Sequence, residues 1–479
     1  MRQKNNSRKS VILLTCFLAG SAIPQAWGDV ISEDYTIYSS DGQTGDEFGS
    51  SVATSNGLIV VGSPLNDENG INAGAAYIYN AANGAELHKL LPIDGTANAE
   101  FGYSVSISNG IVAVGARMDE ELGSQAGAAY LFDAATGAQL HKLLPDDGAT
   151  GDEFGNSIAI DNGIVGVGAW RADDHGLDSG AAYLFDTSTG NQLDKLLPDT
   201  GNNYQTFGVS IAVDAGIVAV GSRTFFVLGD GYTFAKVHIF DASSGNLINE
   251  LLPDFPNYNG DLGGHFADCI DMDDGLIAVG VPNRSVFFDF SGAAYVFNVS
   301  TGQQLHFIYP ADGHDRDHFG KSISIDAGII AIGANEDDDS GWSAGSAYLY
   351  NATDGTQLDK LLISDGAQFD LFGSSIAIEN GLVASGAIGY GESGDETGYV
   401  GVFGSGSGSG LAAISDLAIS VSSGETHLDW SAVPDATSYR VERSTSLGSP
   451  WYSLGVTTET AWIDMSGGSR ALFRVIAIQ

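Results

Sequence analysis

Carboxylates are the commonest chemistry-bearing groups in this sequence, and they come in runs. Glu336-Asp337-Asp338-Asp339, Asp173-Asp174 with Asp178, and Asp119-Glu120-Glu121 are the densest. Hard oxygen donors of this kind suit Ca2+, and the Glu336–Asp339 run is the leading metal candidate. Consecutive carboxylates point in different directions, so a solvated, salt-tolerant surface is the competing reading. His314-Asp315-Arg316-Asp317-His318 could also ligate a metal, or be a solvated loop. A nucleophile elbow, a phosphate loop and an HExxH helix are all absent. No catalytic residue is nominated, and the chain is not expected to be an enzyme.

Aromatic loop tips are the second class of candidate. Phe225, Phe226 and Tyr232 stand in one loop, Phe287, Phe288 and Phe290 in another, and Phe255 and Tyr258 in the connection between them. Clustered apolar side chains on a charged surface suit an interaction patch. Packing of these loops on one another, or beneath the C-terminal module, is the alternative.

A repeat must position these groups. Phe48, Phe101, Phe154, Phe207, Phe266, Phe319 and Phe372 open seven copies of 53 residues, stretched to 59 only between Phe207 and Phe266. Glycine follows six of them, and Ala267 follows the fifth. Each copy predicts four short strands. The first alternates polar and apolar residues, as Ser104, Val105, Ser106 and Ile107 do. Asn56-Gly57, Asn109-Gly110, Asn162-Gly163 and Asn380-Gly381 are favoured type I′ hairpin pairs. A continuously apolar second strand, a Gly-Ala-Ala-Tyr third and a fourth ending Lys-Leu-Leu-Pro follow. His88 and His141 recur at one position of the fourth strand and read as parts of the repeat.

Seven even four-stranded units predict an all-β fold, a seven-bladed β-propeller over residues 30–404. Copy seven lacks a fourth strand, and Tyr35-Thr36-Ile37-Tyr38 is expected to complete it and close the ring. The long loops after strand two and the inter-blade loops share one face, which carries more than half of the 60 acidic residues.

Residues 1–28 have a basic start, a short apolar run and the small-residue ending Ala26-Trp27-Gly28, the pattern of a signal peptide. Its loss removes four positive charges from a chain whose net charge is already −41. It also leaves Cys269 as the single cysteine, expected to be a small buried hydrophobe. The charge disfavours nucleic acid and anionic membrane as partners, and no stretch is long enough to span a bilayer. The protein is expected outside the cell or on its surface, as a monomer.

The Phe-Gly openings, Val61-Gly62-Ser63-Pro64, Val279-Gly280-Val281-Pro282 and the Gly-Ala-Ala-Tyr segments together resemble FG-GAP repeats, which build the propeller of integrin α subunits. The resemblance implies ligand binding on the long-loop face. The family's calcium loop, Asp-x-Asp-x-Asp-Gly, does not carry over. Asp271-Met272-Asp273-Asp274-Gly275 comes nearest and lacks its spacing. Phe132–Gly137 is similar to the turn of quinoprotein propellers. Those dock a Trp in every blade, however, and only Trp170 and Trp342 occur in this propeller. Beyond a Gly/Ser linker at 405–410, residues 411–479 resemble a fibronectin type III β-sandwich through His427–Trp430, Ser438–Val441 and Phe473–Val475. The expected role is adhesion or binding to extracellular protein or carbohydrate, with Ca2+ at the acidic loops as the one cofactor considered. An enzyme or enzyme accessory domain acting on extracellular polymer is the alternative.

Overall fold

The computed structural model describes residues 10–13, 29–198, 203–223, 235–253, 266–286, 290–389, 397–404, 418–422, 425–429, 438–444, 452–464 and 472–478. The chain divides into two units, Trp27–Gly404 and Ser405–Gln479 with Met1–Ala26.

The first unit is a seven-bladed propeller. Blade two is representative, with strands Phe101–Ser108, Ile111–Ala116, Ala128–Asp133 and Gln139–Leu143 in antiparallel order from axis to rim. The inner strands contact one another in sequence, and Phe372–Glu379 of blade seven meets Ser51–Ser55 of blade one. Blade seven takes Tyr35–Ile37 as its outer strand, paired antiparallel to Tyr399–Phe403, as the sequence predicts. An unforeseen strand, Asp29–Ser32, runs parallel to the outer strand of blade six. Glu33 then accepts hydrogen bonds from Ser364 N and Oγ at 2.8 and 2.6 Å.

All seven inner hairpins turn with positive φ at both central residues, which type I′ geometry requires. Ala215 and Ala327 adopt φ 47° there despite lacking the side chain that tolerates it. The core lies between blades. Val60, Ala76, Ile78 and Leu90 of blade one pack against Phe101, Val112, Val114 and Tyr130 of blade two. Each opening phenylalanine meets an aromatic ring of its own third strand, edge to face in Phe101–Tyr130 and Phe319–Tyr348, both at 5.4 Å.

One hydrogen bond repeats around the whole ring. Ser51, Ser104, Ser157 and Ser322 each donate at 2.8 Å to the carbonyl following the next blade's opening phenylalanine, and Ser210 does so at 2.7 Å. Ser375 closes the circle on Gly49 at 2.7 Å. In blade five Cys269 stands in the serine position, with Sγ 3.2 Å from Gly320 O. Cys269 is therefore a weak donor within the repeat as well as a small side chain in an apolar setting, and burial pushes its thiol up to about 12. The glycine after the phenylalanine is fixed by space as well as by φ. At Gly102 (φ 94°) an added Cβ would lie 2.2 Å from Ala75 O.

In the second unit, Ala418–Ser422, Glu425–Asp429 and Ala461–Asp464 form one sheet. Tyr452–Thr457, Ser438–Ser444 and Leu472–Ile478 form another, extended by Ser10–Leu13 beside Leu472–Ile478.

Candidate functional site

The axial mouth on the long-loop face gathers the richest set of side chains. A β-bulge in the inner strand helps to build it. Phe101 pairs with Ala116 but Ser104 with Gly115, so Gly102 and Tyr103 are pushed out of the ladder. Bulges re-aim side chains in this way. The residue at this register is Ser50, Tyr103, Asn156, Val209, Asp268, Lys321 or Ser374, a different type in nearly every blade. Residues just before the opening phenylalanine and just after strand two complete the rim.

Blades two and three supply its densest part. Arg117 lies 3.7 Å above the Tyr103 ring and donates through Nε to Glu100 at 2.7 Å. Glu153, 3% exposed, accepts the Trp170 indole N–H at 2.9 Å and Arg171 Nη1 at 2.8 Å. Arg117 Nη1 reaches the same carboxylate at 4.0 Å, so Glu153 ties the two blades together. Arg223 pairs with Asp268 at 2.7 Å in blades four and five, and His318 with Glu336 at 3.2 Å in blade six. Burial holds the Tyr103 hydroxyl above its ordinary value. Glu47 is raised by burial and by the neighbouring Glu100 charge. Ser50 Oγ, Thr206 Oγ1 and Asn335 Oδ1, from rim positions of three blades, are buried with no hydrogen-bond partner among the described residues. Such atoms need water or a ligand.

The acidic runs surround an internal cation. The fourth-strand lysine reaches into them. Lys360, 4% exposed, donates to Asp312 and Asp337 at 3.0 Å and to Asp339 at 2.6 Å, above the Tyr348 ring at 4.8 Å. Burial opposes its charge, but Asp337, Asp339 and Asp312 outweigh that and hold the ammonium above lysine's usual value. Within the Glu336–Asp339 run, Asp337 and Asp339 thus face an internal cation, Glu336 pairs with His318, and Asp338 accepts Ser343 N at 2.6 Å. The same nest recurs at Lys142 with Asp94, Asp119 and Glu121, and at Lys195 with Asp147 and Asp174. At Lys89 the partners are Asp41 and Glu68. The fourth-strand lysines thus add basic groups to this face. Among the described residues no group of three or more His, Cys, Asp or Glu is gathered for a metal ion.

Of the aromatic tips, Phe225, Phe226, Tyr232, Phe255, Tyr258, Phe287 and Phe288 lie outside the described residues. Phe290 is 46% exposed, with its ring 6.3 Å from that of His318. His314 and Asp317 form a local turn, His314 N donating to Asp317 at 2.5 Å. His88 and His141 each contact the next blade's outer turn, at Ala135 O (3.0 Å) and Ser188 O (3.2 Å). Sequence reasoning missed the axial rim. Its one available signal was the variable residue two places after each opening phenylalanine.

Fold and rim together define a closed seven-bladed propeller with a polar, aromatic-bearing mouth. The FG-GAP repeat model matches residues 31–79, 85–132, 138–185, 303–350 and 356–403. The chain belongs to the FG-GAP repeat family. Similar solved structures include a europium-containing methanol dehydrogenase, at 10% identity and TM-score 0.42, over 77% of this chain and 92% of that one. The β-propeller domain of the Trilobed protease from Pyrococcus furiosus matches at 12% and 0.42, over 74% and 91%. Apo AztD from Citrobacter koseri matches at 11% and 0.38, over 66% and 72%. No curated protein matches the chain.

Proposed function

We propose that this is a secreted or cell-surface binding protein that recognises an extracellular partner, glycan before protein, at the axial mouth of the propeller. The observation that carries this reading is the pinning of Trp170, Arg171 and Arg117 around the buried Glu153. Rings and guanidinium groups held by carboxylates lose little freedom on binding. They present a stacking face and spare N–H donors to a polyhydroxylated ligand. The net charge of −41 favours a neutral or basic partner over an anionic one. Phe225, Phe226, Tyr232, Phe255, Tyr258, Phe287, Phe288 and Phe290 are proposed, from composition, as further apolar contacts.

Residues 1–28 act in this reading as the export signal. Residues 411–479 serve as a fibronectin type III-like spacer, and the mature protein works as a monomer. The test is a glycan and protein array probed with the mature chain. The expected result is a defined ligand set that is lost with Trp170→Ala, in a variant that still unfolds cooperatively. Binding that survives Trp170→Ala but disappears with Phe226→Ser and Phe288→Ser moves the site to the loops of blades four and five. Hydrolysis of an arrayed polysaccharide supports the enzymatic alternative.

A further inference from the structure

The propeller axis encloses a cavity of about 290 Å³ lined by all seven inner strands. At one register its wall reads Ala53, Ser106, Ala159, Ala212, Asp271, Ser324 and Ala377. Six positions carry alanine or serine, and blade five alone carries a carboxylate. The two serines show what this register does structurally. Ser106 accepts Ile160 N and Ser324 accepts Ile378 N, each at 3.2 Å from the following blade. Asp271 Oδ2 makes the corresponding bond to Ile325 N at 2.9 Å and takes Ser324 Oγ at 2.9 Å. A serine would do the latching. The negative charge is surplus to it.

Among the described residues no cationic side chain pairs with that carboxylate; its partners are neutral donors. Oδ1 receives only Met272 N, at 2.9 Å, and the charged side chain that most affects Asp271 is another carboxylate, Asp273. The cavity wall offers oxygen donors. Every inner strand is an edge strand, so alternate carbonyls face the axis without ladder partners. Thr54, from the same wall, has a buried Oγ1 with no hydrogen-bond partner among the described residues. Backbone carbonyls, a hydroxyl and one carboxylate sharing one cavity are donor types that hard cations take.

We propose that the axial cavity binds a small hard cation, Na+, K+ or Ca2+, at Asp271. The cavity has room for an ion that keeps several waters, since a water takes about 30 Å³. Without the ion, burial pushes the Asp271 carboxyl up to about 6. This site is separate from the lysine-filled acidic nests on the loop face, and it does not depend on the proposed ligand of the mouth.

The test is thermal unfolding of the mature chain, exchanged into tetramethylammonium chloride and then titrated with NaCl, KCl or CaCl2 at constant ionic strength. Tetramethylammonium screens the surface, but its charge lies behind methyl groups and takes no oxygen ligands. At least one small cation is expected to raise the midpoint of the wild type by several degrees. Asp271→Ser, which keeps the bond to Ile325 N, loses that increment, and so does the isosteric Asp271→Asn. The site is overturned if no small cation outperforms tetramethylammonium. It is equally overturned if wild type and both variants respond alike, which assigns the ions to the acidic surface.

Discussion

The indole N–H of Trp170 donates to Glu153 at 2.9 Å, and that carboxylate is 3% exposed. A buried acid thus fixes an aromatic ring at the mouth of the propeller, and two arginines share the same acid. The arrangement explains how an acidic protein can offer hydrogen-bond donors at its axis. The carboxylates beside that ring, Glu100 and Glu153, are held by arginines of the same rim.

The lysine nests carry stability. Lys360→Met is expected to cost about 3–5 kcal/mol, because it leaves Asp337 buried without its cation. Lys89→Met should cost less, since Asp41 and Glu68 can turn to water. Urea unfolding of both variants measures the difference.

Two turn alanines are strained. Ala215→Asn and Ala327→Asn should each stabilise the protein by about 0.5–1 kcal/mol, because asparagine tolerates the left-handed conformation. The backbone N–H bonds to Asp161 and Asp273 remain available. Asn56, at the same turn position with φ 51°, marks the reference geometry. Calorimetric midpoints check the gain.

Cys269 should not react with a thiol reagent in the native state, because its thiol sits near 12. Cys269→Ser restores the donor used in the other six blades and should stay within about 1 kcal/mol of the parent. Labelling kinetics and unfolding of the variant test the two statements.

Asp317 and Glu250 predict opposite responses to pH. Burial raises Asp317 to about 6, with Asp337 adding to the effect. A raised carboxyl favours the folded state while protonated, so its contribution is complete below about 4 and is lost as pH rises to 6. Asp317→Asn should therefore gain on wild type across that window, by on the order of 3 kcal/mol at neutral pH. Glu250 is held down at about 2 by His238 and then Lys236. Its contribution is present above about 4.5 and is lost as pH falls toward 2. Denaturation at stepped pH separates the two.

The propeller was legible because the repeat keeps its Phe-Gly openings and Asn-Gly turns, and the closing strand Tyr35–Ile37 was visible by its distance from Phe48. The fourth-strand lysine was visible too, but its partner Asp312 lies 48 residues before Lys360 and belongs to the preceding connection. Periodicity cannot show that pairing. The axial rim was hidden for the opposite reason. Tyr103, Asp268 and Lys321 share one register with unlike chemistry, so no motif marks it, and only ring closure brings them to one axis. Asp29–Ser32 was missed as a strand because so short a segment beside Glu33 and Asp34 has no period of its own.

The most direct measurement of the proposed function is an equilibrium titration of the leading array ligand against wild type, Trp170→Ala and Trp342→Ala. Trp342 is 66% exposed and stands in the long loop of blade six, apart from the Glu153 cluster, so it controls for loss of any indole. Binding at the axial mouth predicts at least a tenfold weaker Kd for Trp170→Ala and an unchanged Kd for Trp342→Ala. An unchanged Kd for Trp170→Ala would contradict it.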